Sequence, residues 1–117
     1  MRVAIVGSRD ITDSVEKEEY WYAKICEHIP PNCTEIVSGG AEGIDTLARR
    51  YAKEHKLLLK EFLPDYGRYG KPAAFMRNTE IVGYAHIVLA FWDGKSRGTA
   101  DTVLKCYQMN KPVEIYL

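Results

Sequence analysis

Hydrophobic residues along the chain follow two patterns that alternate from one end to the other. Short runs rich in apolar residues occupy residues 3–6, 34–37, 57–62, 86–91 and 113–116 and are predicted to be strands. The first of them, over residues 3–6, is continuously apolar, which is typical of a strand covered on both faces. The segments between them repeat apolar residues at helical spacing, most clearly at Ile44, Leu47, Ala48, Tyr51 and Ala52. Further helices are predicted over residues 14–28, over residues 72–83 and from Thr99 onwards. This alternation predicts an α/β protein, a three-layer αβα sandwich around a five-stranded, mainly parallel sheet.

Capping and turn residues predict where several of these elements begin and end. Asp13 and Glu16 have the spacing of a capping box at the start of the first helix. That helix should bury one stripe, formed by Val15, Tyr22, Ile25, Cys26 and Ile29. Residues 63–71 contain glycine and proline and are predicted to form a loop. His86 begins the fourth strand and is expected to be a packed side chain.

Length and charge bound the size of the protein and the partners it suits. The chain has 117 residues, which predicts a single domain over residues 1–117. Lys and Arg together number 16, as do Asp and Glu, so no general basic field exists to hold a nucleic-acid backbone. This balance argues against a nucleic-acid partner, although it is compatible with a local basic groove.

Cysteine usage and the first residues point to a compartment. Cys26, Cys33 and Cys106 are odd in number and lack metal-binding spacing, so we expect reduced thiols, no metal and no cofactor. The chain begins with a strand-like segment and carries neither a signal peptide nor a run long enough to span a bilayer. We therefore expect a cytoplasmic protein that does not contact membranes.

Three polar loops follow predicted strands. They are Gly7-Ser8-Arg9, Ser38-Gly39-Gly40-Ala41-Glu42-Gly43 and Trp92-Asp93-Gly94-Lys95-Ser96-Arg97-Gly98-Thr99. In parallel α/β sheets the carboxyl ends of the strands lie at one edge, and ligands bind there where the strand order switches. Glycine backbone, small hydroxyls, helix N-termini and arginine are the groups that hold a phosphate. The loops therefore predict a nucleotide-type ligand at this edge.

Each loop also has a purely structural explanation. A tight turn with close helix–sheet packing would need the same glycines, Gly39, Gly40 and Gly43. Ser96 or Thr99 could cap the last helix while Arg97 remains solvated, and the GxxxxGK[ST] spacing of a P-loop is absent. Asp45 is explained by its favourable position near a helix N-terminus.

Arg77 and Asn78 fall on or beside the helix face that should turn inward. Both lie at helical spacing from an apolar stripe of Ala74, Ile81, Val82 and Ala85. An inward arginine is costly unless a negative group meets it. That group is either a ligand phosphate or a carboxylate of the protein, Asp93 or Asp101.

Other polar and aromatic side chains near the loops allow two explanations each. Asp93 could accept a hydrogen bond from a ribose hydroxyl or act as an acid or base, but with Gly94 it also has the form of an ordinary Asp-Gly turn. Stacking on a base or simple surface packing would each account for Tyr66, Tyr69 and Trp92.

The motifs together resemble those of the YspA-like members of the SLOG superfamily. They are Gly7-Ser8-Arg9 with Asp13, the run from Ser38 to Asp45, Tyr69-Gly70-Lys71, Arg77-Asn78, and the run from Trp92 to Thr99. The resemblance covers nearly the whole chain and implies a small Rossmann-like domain. It also implies a nucleotide-derived ligand, such as one related to ADP-ribose or NAD. A homodimer is compatible with this superfamily, whose relatives include LOG phosphoribohydrolases and DprA-type single-strand DNA binders.

The chain departs from these relatives at two points. Met76-Arg77 and Gly98-Thr99 are similar to LOG motifs, but the position of the glutamate in PGGxGTxxE holds Thr102. Asp101 is the nearest acid. Ala85-His86 stands where the small YspA-like family often has Ala-Asp.

These observations lead to three hypotheses about function. The first is a sensor or sequestering module that binds a nucleotide derivative, with phosphates against the glycine loops, charge from Arg77 and Arg97, and the sugar oriented by Asn78 and Asp93. Its predicted ligand site comprises Gly7, Ser8, Arg9, Ser38, Gly39, Gly40, Gly43, Arg77, Asn78, Asp93, Gly94, Ser96, Arg97, Gly98 and Thr99. The second is a hydrolase or transferase acting on the N-glycosidic bond of nucleoside monophosphates, with catalytic Arg77, Asp93 and Asp101. The third is single-stranded DNA binding.

Overall fold

The computed structural model describes residues 1–117 and contains a single five-stranded sheet. Its strands are β1 (Arg2–Gly7), β2 (Glu35–Ser38), β3 (Leu58–Glu61), β4 (Ile87–Phe91) and β5 (Val113–Tyr116). Their order across the sheet is β3-β2-β1-β4-β5, and every neighbouring pair is parallel. The predicted Rossmann-like α/β class is therefore confirmed, and the sheet is entirely rather than mainly parallel.

Helices cover both faces of the sheet and produce two hydrophobic cores. The helices are α1 (Val15–His28), α2 (Ile44–Glu54), α3 (Tyr66–Tyr69), α4 (Ala73–Tyr84) and α5 (Arg97–Gln108). One core joins α1 and α2 to the sheet through Ile5 and Leu89, and the other joins α4 and α5 through Ala4 and Val88. Successive residues of β1 and β4 thus point into opposite cores, which is why these strands are apolar throughout. None of the helices has the length and apolar character needed to span a bilayer.

The first helix is capped differently from the prediction. Ser14, not Asp13, is the N-cap residue, because its extended backbone lets its hydroxyl accept a hydrogen bond from the Lys17 amide at 3.2 Å. The Asp13 carboxylate instead pairs with the Lys17 ammonium group. The predicted stripe is also partly wrong, since Val15 and Cys26 are exposed and Trp21 joins Tyr22 and Ile25 in the core.

Other boundaries and burial predictions also need correction. β3 is an edge strand, so its apolar run is not covered on both faces, and Leu58 is 68% exposed. The predicted loop over residues 63–71 contains the short helix α3, which Asp65 caps by accepting a hydrogen bond from the Arg68 amide. α5 begins at Arg97 rather than at Thr99. His86 precedes β4 and is exposed, with Nδ1 accepting a hydrogen bond from the Arg2 amide.

The loop after β1 lies directly against the start of α2. Gly43 has φ of +76°, a conformation that favours glycine, and a side chain there would overlap the backbone of Ser8 and Arg9. A side chain at Gly7 would likewise overlap the Phe91 carbonyl and the side chain of Ile44. These close contacts hold the carboxyl ends of β1 and β4 and the start of α2 together.

Replacement of Gly43 by alanine should therefore destabilise the fold. The strained φ and the overlap with neighbouring backbone lead us to expect a loss of about 1–3 kcal/mol or more in the free energy of unfolding. Gly67→Ala is the matched control, because Gly67 has no positive φ and only ordinary contacts around it. Urea unfolding followed by circular dichroism measures both, and equal stability of the two variants would contradict this account.

Candidate functional site

A pocket of about 300 Å³ lies at the carboxyl edge of the sheet, where the strand order switches between β1 and β4. All three loops singled out in the sequence contribute to its wall, together with α3 and α4. The lining residues are Val6, Gly7, Arg9, Gly39, Ala41, Asp45, Tyr66, Ala74, Phe75, Arg77, Asn78, Ile81, Ser96, Arg97, Gly98, Thr99 and Thr102. The sheet topology thus brings together segments far apart in the chain.

The predicted ligand residues divide into two groups in the structure. Those that line the pocket are Gly7, Arg9, Gly39, Arg77, Asn78, Ser96, Arg97, Gly98 and Thr99. Those that do not line it are Ser8, Ser38, Gly40, Gly43, Asp93 and Gly94, and the catalytic candidate Asp101 does not line it either. Several members of the second group hold the pocket wall in place through hydrogen bonds to neighbouring backbone. The Ser38 hydroxyl, for example, accepts a hydrogen bond from the Gly40 amide at 3.2 Å.

Asp93 shapes the loop that leads into α5. Its Oδ1 accepts hydrogen bonds from the amides of Lys95 and Ser96, each at 2.8 Å. These bonds to the charged form hold the pKa of the Asp93 carboxyl below its usual value. Its own amide donates to the Ser8 hydroxyl at 3.0 Å, which ties this loop to the loop after β1.

Arg77 lies at the pocket wall without a carboxylate partner. Its Nε donates to the Ala74 carbonyl and to Asn78 Oδ1, at 3.3 and 3.0 Å. Its Nη1 donates to the carbonyl oxygens of Gly39 and Phe62. No acidic group lies within salt-bridge distance, so neither Asp93 nor Asp101 is the partner considered from the sequence. Neutral oxygen atoms accept from Nε and Nη1, no hydrogen bond from Nη2 is formed, and no salt bridge neutralises the charge at the pocket wall.

Asp101 takes part in the contact between α4 and α5. Its Oδ2 pairs with the Lys105 ammonium group at 2.7 Å and accepts a hydrogen bond from Asn78 Nδ2 at 3.1 Å. Asn78 Nδ2 also lies 3.3 Å from the Gly98 carbonyl, to which the Thr102 hydroxyl donates at 3.1 Å. This carboxylate is therefore already engaged by a cation and an amide, away from the pocket.

The start of α5 presents free hydrogen-bond donors to the pocket. The first backbone bond that closes onto this turn runs from the Ala100 amide to the Ser96 carbonyl, which leaves the amides of Arg97, Gly98 and Thr99 without a helical partner. A side chain added at Gly98 would meet no atom within 4 Å, so the surface here is open. Free amides, the helix dipole and the exposed Arg97 make this end of the pocket attractive to an anion.

Asp45 is the acidic side chain of the pocket and was not predicted to belong to it. It is only 7% exposed, and its Oδ2 accepts a hydrogen bond from the Ala41 amide at 3.1 Å. Burial raises the pKa of this carboxyl to about 6, although the Ala41 bond and the charge of Arg77 act in the opposite direction. One sequence signal could have found it: Asp45 precedes Ala48 by three residues and so lies on the buried stripe of α2.

The aromatic candidates also separate in space. Tyr66 lines the pocket, together with Phe75, which the sequence did not single out. Tyr69 lies in a small neighbouring hollow of about 130 Å³. The indole of Trp92 donates to the Ser96 carbonyl at 3.1 Å and so supports the loop before α5.

Fold and pocket define a Rossmann-like α/β protein with a ligand-sized cleft at the carboxyl edge of its parallel sheet. The chain belongs to the family of the Gene 61 protein of Mycobacterium phage D29, to which it is 34% identical over 119 aligned positions, covering 96% of this chain and 93% of that protein. Residues 1–58 also match the family model described as DNA recombination-mediator protein A.

Two solved structures share the fold. The X-ray structure of TM1055 superposes on 96% of this chain and 71% of its own with a TM-score of 0.67 and 20% identity. DNA processing protein A from Helicobacter pylori covers 98% of this chain with a TM-score of 0.73 and 19% identity, and this chain spans 64% of that protein. These likenesses show a shared Rossmann-like fold.

The expectation against a nucleic-acid partner is wrong. The match to DNA recombination-mediator protein A, and the likeness to a protein whose structure concerns single-stranded DNA binding, point the other way. The expectation rested on a net charge of zero, and net charge does not report where charges lie. Arg9, Arg77 and Arg97 all line one pocket, so a locally basic surface exists within a neutral chain.

The buried carboxyl of Asp45 should make stability depend on pH. Its pKa of about 6 in the folded state exceeds the ordinary value of 3.8, so the folded protein holds this proton more tightly. Its contribution is therefore present below about pH 4 and is lost as pH rises through about 6, an effect of about 3 kcal/mol.

Asp45→Asn removes this titration, so its free energy of unfolding should rise relative to that of the parent between pH 4 and pH 7. Urea unfolding of both proteins across this range measures the difference. Parallel stability curves for the two proteins would contradict the assignment.

Proposed function

We propose that the protein binds a nucleotide unit in the carboxyl-edge pocket, chiefly through its phosphate. The observation that carries this proposal is the charge arrangement around the pocket. Arg9, Arg77 and Arg97 line it without forming a salt bridge, and free amides of α5 open into the same space. A phosphate would supply the missing negative charge and accept several hydrogen bonds at once.

The size and the walls of the pocket suit such a unit. A volume of about 300 Å³ lies at the small end of the range for ligand pockets, which favours one nucleotide over a larger cofactor lying wholly inside. Tyr66 and Phe75 line the pocket and are 55% and 44% exposed, so a base could stack against them. Within this proposal the chain acts as a YspA-like sensor or sequestering module for a free nucleotide derivative, such as one related to ADP-ribose or NAD.

A second candidate is single-stranded DNA, of which one nucleotide would occupy the pocket. The specific support is the match of residues 1–58 to DNA recombination-mediator protein A and the shared fold with DNA processing protein A from Helicobacter pylori. A DNA strand and a free nucleotide present the same phosphate group, so an experiment must distinguish these two ligands.

Hydrolysis of an N-glycosidic bond receives less support from the geometry. Asp101 is held by Lys105 and Asn78, and Asp93 holds the loop before α5. Neither carboxylate lines the pocket, and Thr102 stands where the LOG motif has its glutamate. The reaction as predicted from the sequence, with Asp93 or Asp101 as the acid, would require one of these two groups to leave its present partners.

Isothermal titration with adenosine 5′-monophosphate, inorganic phosphate and a single-stranded dT oligonucleotide tests the proposal. Arg97→Ala should weaken binding of the nucleotide by about 10- to 100-fold, since a charge-assisted hydrogen bond contributes about 1.5–3 kcal/mol. Lys53→Ala is the control, because Lys53 is exposed on α2 and does not line the pocket.

The outcomes separate the two sources of the phosphate. Tight binding of the mononucleotide favours the free ligand, whereas strong and salt-sensitive binding of the oligonucleotide alone favours DNA. Unchanged affinity in Arg97→Ala, for every ligand that the parent protein binds, would overturn the assignment of this pocket.

A further inference from the structure

The pocket carries opposite charges beside one glycine. A side chain at Gly39 would lie 3.0 Å from Asp45 Oδ2 and would overlap the guanidinium of Arg77. The guanidinium of Arg77 therefore fills the space that a side chain at Gly39 would need, and the Asp45 carboxylate lies beside it. A hydroxyl is a group that can donate a hydrogen bond to such a carboxylate.

One of the two carboxylate oxygens of Asp45 accepts no hydrogen bond from the protein. Oδ2 accepts from the Ala41 amide, and Oδ1 has no hydrogen-bond partner, although the residue is only 7% exposed and lines the pocket. A carboxylate that is largely removed from water gains most when a donor reaches its free oxygen. A hydrogen-bond donor on a ligand would therefore gain from reaching Oδ1 of Asp45.

A bound phosphate cannot be that group, because two negative charges repel strongly in a partly buried site. The phosphate is instead attracted to the start of α5, where Arg97 and the free amides lie. The exposed rings of Tyr66 and Phe75 offer a surface on which a flat base would stack. The sugar links base and phosphate and is therefore the part of a nucleotide that remains to meet Asp45.

We propose that Asp45 is a specificity-determining residue, which accepts a hydrogen bond from a sugar hydroxyl of the bound nucleotide. This inference rests on the proposed function of the pocket. It names a free 2′- or 3′-hydroxyl as the feature by which the site distinguishes nucleotides that carry the same phosphate.

Titration of the parent protein with adenosine 5′-monophosphate and its 2′,3′-dideoxy analogue tests this inference. The parent should bind the hydroxyl-bearing nucleotide at least tenfold more tightly than the analogue. In Asp45→Ala the ratio of the two dissociation constants should fall to about one, because the acceptor is gone. Glu42→Ala is the matched control, since Glu42 is an exposed acid of the same loop that does not line the pocket.

A second variant guards against a failure to fold. Asp45→Asn keeps the shape of the side chain and an oxygen for the Ala41 amide but removes the charge, so its ratio should fall severalfold. Equal binding of nucleotide and analogue by the parent, or an unchanged ratio in both Asp45 variants, would overturn the inference and leave the proposed function standing. Binding of neither compound by the parent would overturn both.

Discussion

The guanidinium of Arg77 holds together one side of the pocket. It reaches from α4 to the carbonyl of Gly39 after β2 and to the carbonyl of Phe62 after β3, and it also contacts the side chain of Asn78. Asn78 in turn connects α4 to Asp101 on α5. One fixed cation thus links two strand ends and two helices. Neutral oxygen atoms accept its hydrogen bonds, and the Asp45 carboxylate lies nearby without forming a salt bridge. Arg77 therefore fixes the geometry of this side of the pocket and also places a positive charge there.

The net charge of the chain does not report how charged groups are placed around the pocket. Three arginines, Arg9, Arg77 and Arg97, line the pocket, and the Asp45 carboxylate and the guanidinium of Arg77 both lie beside Gly39. Water is largely excluded from Asp45, which raises the pKa of its carboxyl to about 6. A protein with no net charge can therefore carry a pocket lined by several charged side chains. That is why composition argued against nucleic acid while the family model points towards it.

The loops that surround the pocket are stabilised mainly by one another. The Ser8 hydroxyl accepts a hydrogen bond from the Asp93 amide, and the Asp93 carboxylate accepts hydrogen bonds from the amides of Lys95 and Ser96. Gly43 brings the start of α2 against the backbone after β1. Ser8, Gly43 and Asp93, which were predicted as ligand groups, thus hold these loops in place. Backbone groups held in this way need little reorganisation when a phosphate arrives, which favours binding.

The alternation of strands and helices could be predicted from the sequence, because apolar runs and helical stripes reflect burial. The sequence also predicted that the glycine loops share one edge, since parallel strands end together. The tertiary structure alone decided that Leu58 lies on an edge strand, that Asp93 and Asp101 serve the scaffold, and that Asp45 faces the pocket. Local periodicity describes one element at a time, whereas hydrogen-bond partners and burial depend on which elements pack together.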